Sequence, residues 1–229
     1  MTDSPKIYRV GTLTYTKAKL AMLFFWLLWG DVCYQLMETV GPSILPLKLM
    51  KLDAPNWALG LLITTIPSSM GFFLNPVISF KSDRFRSRWG RRIPFIFFTA
   101  PFLVLSLILL GFGDHIGFWM QHHLSSLSGF SPNSVAIAVM GVLLITFGFF
   151  NTFVGSVFWY LFNDVVPEHL LARFMSWFRL VSTGTGAMYS FFIYKHALSH
   201  TVPIFVGVGL LMLVLGYFSP LPPEVREPH

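Results

Sequence analysis

Asp31 and Glu38 are two carboxylic acids inside one apolar stretch, Leu20 to Leu47. An acid near the centre of a membrane helix costs roughly 2.5–3.5 kcal/mol on insertion scales, so two in one helix ask for a reason. They stand seven residues apart, which is about 700° of helical rotation, and so share a face. Tyr34 and Gln35 lie between them on the same stripe. Two acids with a phenol and a carboxamide on one face predict a wet cavity, where a carboxyl can take up and release a proton or hold a cation.

A second polar set, Asn151, Thr152, Ser156, Trp159 and Tyr160, falls in the apolar run from Val135 to Phe162. Hydrogen bonders beside an aromatic platform would suit a sugar. The same residues would serve equally as contacts between helices, where a polar side chain contributes about 0.6 kcal/mol. Other chemistries find little support. Cys33 is the only cysteine, so an intramolecular disulfide and a cysteine-based metal cluster are excluded. His115, His122 and His123 stand with Asp114 in the expected outer loop, but adjacent histidines point apart, and no metal is expected there. No glycine-rich phosphate loop, nucleophile motif or zinc signature is found. The expectation is a protein that is not an enzyme and needs no cofactor.

The elements that hold these residues follow from composition. Of 229 residues, 54% are hydrophobic and 11% charged, against about a quarter charged in soluble domains. That is too little charge to cover a water-facing surface, and it excludes a soluble enzyme, a disordered regulator and a nucleic-acid module. Six continuously apolar segments can be read: Leu20 to Leu47, Trp57 to Phe80, Ile93 to Gly113, Val135 to Phe162, Phe174 to Tyr194 and Val202 to Phe218. Each is long enough to cross the hydrocarbon as a helix, and none alternates as barrel strands do. The prolines 42, 46, 67, 76 and 101 are compatible with packed membrane helices, whose neighbours re-satisfy freed carbonyls. The expected fold is an all-α membrane protein of six transmembrane helices. Residues 1–19 form a cytoplasmic segment, 20–218 the bundle and 219–229 a cytoplasmic tail or linker.

The polar start, the long first apolar run and the missing small-residue cleavage site argue against a cleaved signal peptide. With the N-terminus inside, 13 of the 16 Lys and Arg residues fall on the cytoplasmic side and only Lys48, Lys51 and Lys195 opposite. This asymmetry places both termini in the cytoplasm. The net charge of +6 is thus a topology signal with some attraction to anionic lipid, and nucleic acid is not an expected partner.

The loop between the second and third segments reads Ser82-Asp83-Arg84-Phe85-Arg86-Ser87-Arg88-Trp89-Gly90-Arg91-Arg92-Ile93-Pro94-Phe95-Ile96. An acid followed by a Gly-Arg-Arg turn resembles the signature loop of the major facilitator superfamily. The longer pattern is similar to that of the plant sucrose transporters and the neighbouring glycoside–pentoside–hexuronide symporters. Ser79 stands where that family usually has Gly, and Ile93 replaces a third Arg. Upstream, Glu38-Thr39-Val40-Gly41-Pro42 fits the family's acid before a proline in helix one. Downstream, Asn163-Asp164-Val165-Val166-Pro167-Glu168 through Arg173-Phe174 looks like its loop between helices four and five.

The resemblance implies a cation-coupled sugar or glycoside symporter working by alternating access, the cation being a proton or sodium. It points to Glu38 as the first coupling residue and to Asp31 as the second, or as a sodium or sugar ligand. Tyr34, Gln35, Asn151, Ser156, Trp159 and Tyr160 would face substrate. Asp83, Arg84, Gly90, Arg91, Arg92, Asp164, Glu168 and Arg173 would gate the cytoplasmic side. Trp159 occupies the place of an arginine in the plant sucrose transporters, which puts sucrose itself in question. Such transporters pair two six-helix bundles around the substrate, so a second bundle is expected from a homodimer or from a longer chain. The plasma (inner) membrane is the expected location. The competing class is a non-transporting membrane assembly subunit or receptor that keeps the fold.

Overall fold

The computed structural model describes residues 8–10, 13–84, 93–124, 129–197 and 199–217. A short antiparallel hairpin comes first, β1 (Tyr8–Val10) against β2 (Leu13–Tyr15), with Arg9 opposite Thr14. It was not foreseen in the polar start of the chain. The rest is helical: α1 (Lys17–Lys51), α2 (Asn56–Gly60), α3 (Ile66–Arg84), α4 (Ile93–Gly111), α5 (Gly113–His123), α6 (Pro132–Val165), α7 (Glu168–Met188) and α8 (Thr201–Leu211). Wide π turns at Leu61–Thr65, Tyr189–Ile193 and Met212–Tyr217 join α2 to α3 and extend α7 and α8.

Among the described residues, three helical stretches are long and apolar enough to cross a membrane: Lys17–Lys51, Asn56–Phe80 and Pro132–Tyr160. A fourth is obtained if Phe97–Gly111 and Gly113–His123, bent by 68°, count as one span. Apart from the hairpin, the described chain is thus that of an all-helical membrane protein. The segments expected from Phe174 and from Val202 are helical, but α7 falls short of that hydropathy and α8 of that length. α7 carries Glu168, Arg173 and Arg179, and α8 has only 11 residues before its π turn.

One difference concerns the stretch after Gly111. A loop was expected there, and the structure forms α5. Its apolar residues Ile116, Phe118, Trp119 and Met120 form a block between polar Asp114 and His115 on one side and Gln121, His122 and His123 on the other, so the helix has an apolar middle that can pack and polar ends. Gly113 and Gly117 are buried, the first against Met140 and the second against the backbone of Ala136. Without a side chain at Gly117, α5 and α6 come into backbone contact.

Two apolar cores hold the bundle. The larger brings Met37, Ile44 and Leu49 of α1 against Leu103 and Leu107 of α4, Met140 of α6 and Phe205 of α8. The smaller packs Leu20, Leu23 and Leu27 against Val165, Val166, Phe174 and Phe178. Large apolar side chains elsewhere face outward, Phe72, Phe73 and Phe80 on α3 and Phe191 and Phe192 beyond α7 among them. In water such a surface would aggregate, whereas against lipid tails it meets a solvent of its own polarity.

Candidate functional site

The side-chain contacts of α1 set the level of every polar residue around it. Gly41 faces Phe147, Tyr34 faces Gly155 and Gly30 faces Phe158, so α1 runs antiparallel to α6. Phe24 meets Phe174 at 4.8 Å between ring centres and Gln35 meets Ser182, so α1 runs parallel to α7. By this register Asn151 lies at the level of Met37 and Glu38, between Phe147 and Gly155.

The four α1 residues expected on one wet face divide by depth. Asp31 is 1% exposed, and its Oδ2 is buried with no hydrogen-bond partner. Tyr34 is also buried; its hydroxyl end lies over Gly155, the one position on that part of α6 where no Cβ intervenes, and its ring is 5.8 Å from that of Phe158. Gln35 is half-buried and Glu38 is exposed. Although all four share a helical stripe, the stripe runs from the packed interior to an open surface along its length.

Gln35 is the centre of a short relay. Ser182 Oγ of α7 donates to Gln35 Oε1 at 2.9 Å, Gln35 Nε2 donates to Thr39 Oγ1 at 3.4 Å, and Thr39 Oγ1 donates to the Gln35 carbonyl at 2.7 Å. One turn further, Ser43 Oγ donates to the Thr39 carbonyl at 2.6 Å. Thr39, Ser43 and Ser182 were not singled out from the sequence. The spacing Gln35, Thr39, Ser43, four residues each, was a legible signal of one polar row.

On α6 the residues expected together separate. Asn151 keeps its Oδ1 buried and unpartnered. The Ser156 hydroxyl lies between Asn75 Oδ1 of α3, at 2.7 Å, and the Thr152 carbonyl, at 2.8 Å. Trp159 is exposed on its outer edge and meets Phe178 of α7 at 5.0 Å, edge to face, while Tyr160 is half-buried. Asn75, invisible in a run of phenylalanines and prolines, is the partner the sequence reading missed. Tyr189, at the start of the π turn beyond α7, was also passed over: it is 1% exposed, and its hydroxyl lies beside that of Ser43 on α1.

Of the residues expected at the cytoplasmic side, Gly90, Arg91 and Arg92 lie outside the described residues. Asp83 and Arg84 end α3, and the Arg84 guanidinium covers the Phe80 ring at 4.0 Å. Asp164 sits in the last turn of α6, Glu168 in the first turn of α7, and Arg173 one turn later; Glu168 and Arg173 are exposed. Among the described residues no three His, Cys, Asp or Glu side chains group as a metal site.

Fold and polar interior together define a helical membrane protein with acids and hydrogen bonders set between its helices. Over 87 residues it is 32% identical to a membrane-associated transporter protein of Mus musculus, a match covering 38% of this chain and 15% of that protein. Over 80 residues it is 30% identical to a sucrose transport protein of Oryza sativa subsp. japonica, covering 34% of this chain and 15% of the relative. The chain thus matches about a seventh of the length of these curated relatives. No family model and no solved structure matches it.

Proposed function

We propose that the chain is one six-helix bundle of a secondary active transporter, moving a sugar or glycoside with a cation, proton or sodium, by alternating access. The observation that carries this reading is the polar row of α1. Glu38 is exposed at the level of the unpartnered Asn151, and Asp31 is sealed about two turns deeper. A cation that enters at Glu38 has a second carboxylate below it, and an acid with an unsatisfied oxygen gains the most by neutralisation. Gln35, Asn151 and Ser156 supply hydrogen bonds for sugar hydroxyls, Tyr34, Trp159 and Tyr160 supply ring faces, and the cytoplasmic charges from Asp83 to Arg173 gate. The six spans are α1, α2 with α3, α4 with α5, α6, α7 and α8. The names of the relatives support transport as the class, and that of the rice protein supports a sugar.

A single bundle offers one wall of a transport path. The second wall comes from another copy of the chain or from further sequence of a longer protein. The test is uptake of radiolabelled glycosides by proteoliposomes under an imposed proton gradient, an imposed sodium gradient, or neither. Accumulation that needs one gradient is expected. Absence of uptake under both would favour the assembly subunit or receptor class. A homodimer further requires that Asp83→Cys and Ala172→Cys on different chains cross-link, since the end of α3 would then meet the start of the partner's α7.

A further inference from the structure

The turn between α7 and α8 holds a histidine pair, His196 and His200, which the sequence reading passed over in favour of the cluster around His122. His200 N donates to the His196 carbonyl at 2.9 Å, so the two residues are one α-helical turn apart on the same side. Their rings are exposed, with centres 6.2 Å apart. The planes of the pair cross at 69°; adjacent His122 and His123 come closer, 5.1 Å between centres at 79°, but the His123 ring is stacked on Trp119 at 4.8 Å and is not free to turn toward a shared ion.

The proton positions on both rings follow from their partners. His196 Nδ1 lies 3.4 Å from the Phe192 carbonyl, which can only accept, so this Nδ1 carries the hydrogen. Ser199 Oγ donates its single proton to the His196 carbonyl at 3.1 Å. The contact of 2.9 Å between Ser199 Oγ and His200 Nδ1 then needs its hydrogen from the imidazole. Both neutral rings therefore present an unprotonated Nε2, and both Nδ1–H groups are held by the turn itself. A hydrogen bond from the far ring nitrogen is what orients an imidazole as a metal ligand.

We propose that His196 and His200 chelate a divalent transition-metal ion of the zinc class, with water completing the shell. Spacing and chemistry agree with this assignment. With a Zn–N bond of about 2.0–2.1 Å, two imidazole centres on one tetrahedral ion lie about 5 Å apart, so exposed rings need close by only about 1 Å. Imidazole suits zinc, copper and nickel and is a poor ligand for magnesium or calcium. Lys195 is the neighbouring cation, but it stands about 100° round the turn and can swing into solvent.

The experiment uses the full chain, purified without a polyhistidine tag in detergent micelles and titrated with Zn2+ against a zinc-sensitive dye. Binding of one ion per chain is expected, unaffected by excess Mg2+. His196→Gln and His200→Gln should each weaken it by about tenfold or more, because each removes one arm of the chelate, while the double variant His122→Gln/His123→Gln should leave it unchanged. Both pairs are exposed, so the substitutions do not disturb packing. Failure of the wild-type chain to bind zinc, equal affinity in the His196 and His200 variants, or loss in the His122/His123 variant would each overturn the assignment.

Discussion

Lys48 Nζ donates to Asp114 Oδ1 at 2.8 Å and to the Gly111 carbonyl at 2.7 Å. The lysine belongs to α1 and is buried, and its two acceptors flank the break at Phe112 where α4 bends by 68° into α5. The break leaves α4 with unpaired carbonyls and α5 with unpaired amides. A cation at the first and a carboxylate at the second each oppose the local helix dipole in the favourable sense. The pair thus clamps both helix ends to α1.

Removing Lys48 alone should be worse than removing both partners. Lys48→Met strands a carboxylate and a carbonyl at a low-dielectric position, and losing one member of such a pair costs about 3–5 kcal/mol when buried. Asp114 is partly exposed, so the lower end is expected. Lys48→Met/Asp114→Asn should recover part of the loss. Thermal unfolding of the three variants in detergent measures it, and strictly additive losses would contradict the clamp.

Asp31 pits stability against function. Its unpartnered Oδ2 stores a desolvation cost of about 1–3 kcal/mol, so Asp31→Leu, with the same side-chain branching but apolar, should raise the unfolding temperature. The same change should abolish gradient-driven uptake if the acid is part of coupling. A variant that is destabilised would show that Asp31 has a structural partner after all.

Glu38 should behave in the opposite way. Being exposed, Glu38→Gln leaves stability near wild type, since surface substitutions stay within about 0.5 kcal/mol. It cannot lose a proton, so active uptake should vanish while counterflow exchange remains. Retained uptake against a gradient removes Glu38 from the coupling step.

Depth along α1 can be read by labelling. In a Cys33→Ala background, Glu38→Cys should react rapidly with a hydrophilic maleimide, Gln35→Cys more slowly, and Asp31→Cys and Tyr34→Cys scarcely. Equal reactivity at all four positions would restore the uniformly wet face that helical spacing alone suggests.

Gly117→Ala tests the α5–α6 contact. The added methyl would meet the Ala136 backbone, which cannot rotate away as a side chain would, and overpacking of this kind costs about 1–3 kcal/mol. Gly184→Ala, where nothing lies nearby, is the matched control and should be neutral or mildly stabilising. Unfolding temperatures that fall equally in both would point to helix geometry in place of the contact.

The membrane class was legible from residue counts, because too few charges cannot clothe so many phenylalanines whatever the fold. Helix positions followed the apolar runs, since length and hydropathy are local properties of the chain. The shared stripe of Asp31, Tyr34, Gln35 and Glu38 was likewise periodicity alone. What the helical period cannot encode is which part of a stripe meets a neighbour. Asp31 is sealed and Glu38 open because the surroundings of α1 change along its length, and that change is made by residues more than a hundred positions away. The partnerships of Lys48 with Asp114, Ser156 with Asn75 and Gln35 with Ser182 span 66, 81 and 147 residues. No spacing rule reaches so far. Such pairs exist only once the helices are packed, when a buried polar group must find whatever partner its neighbours present.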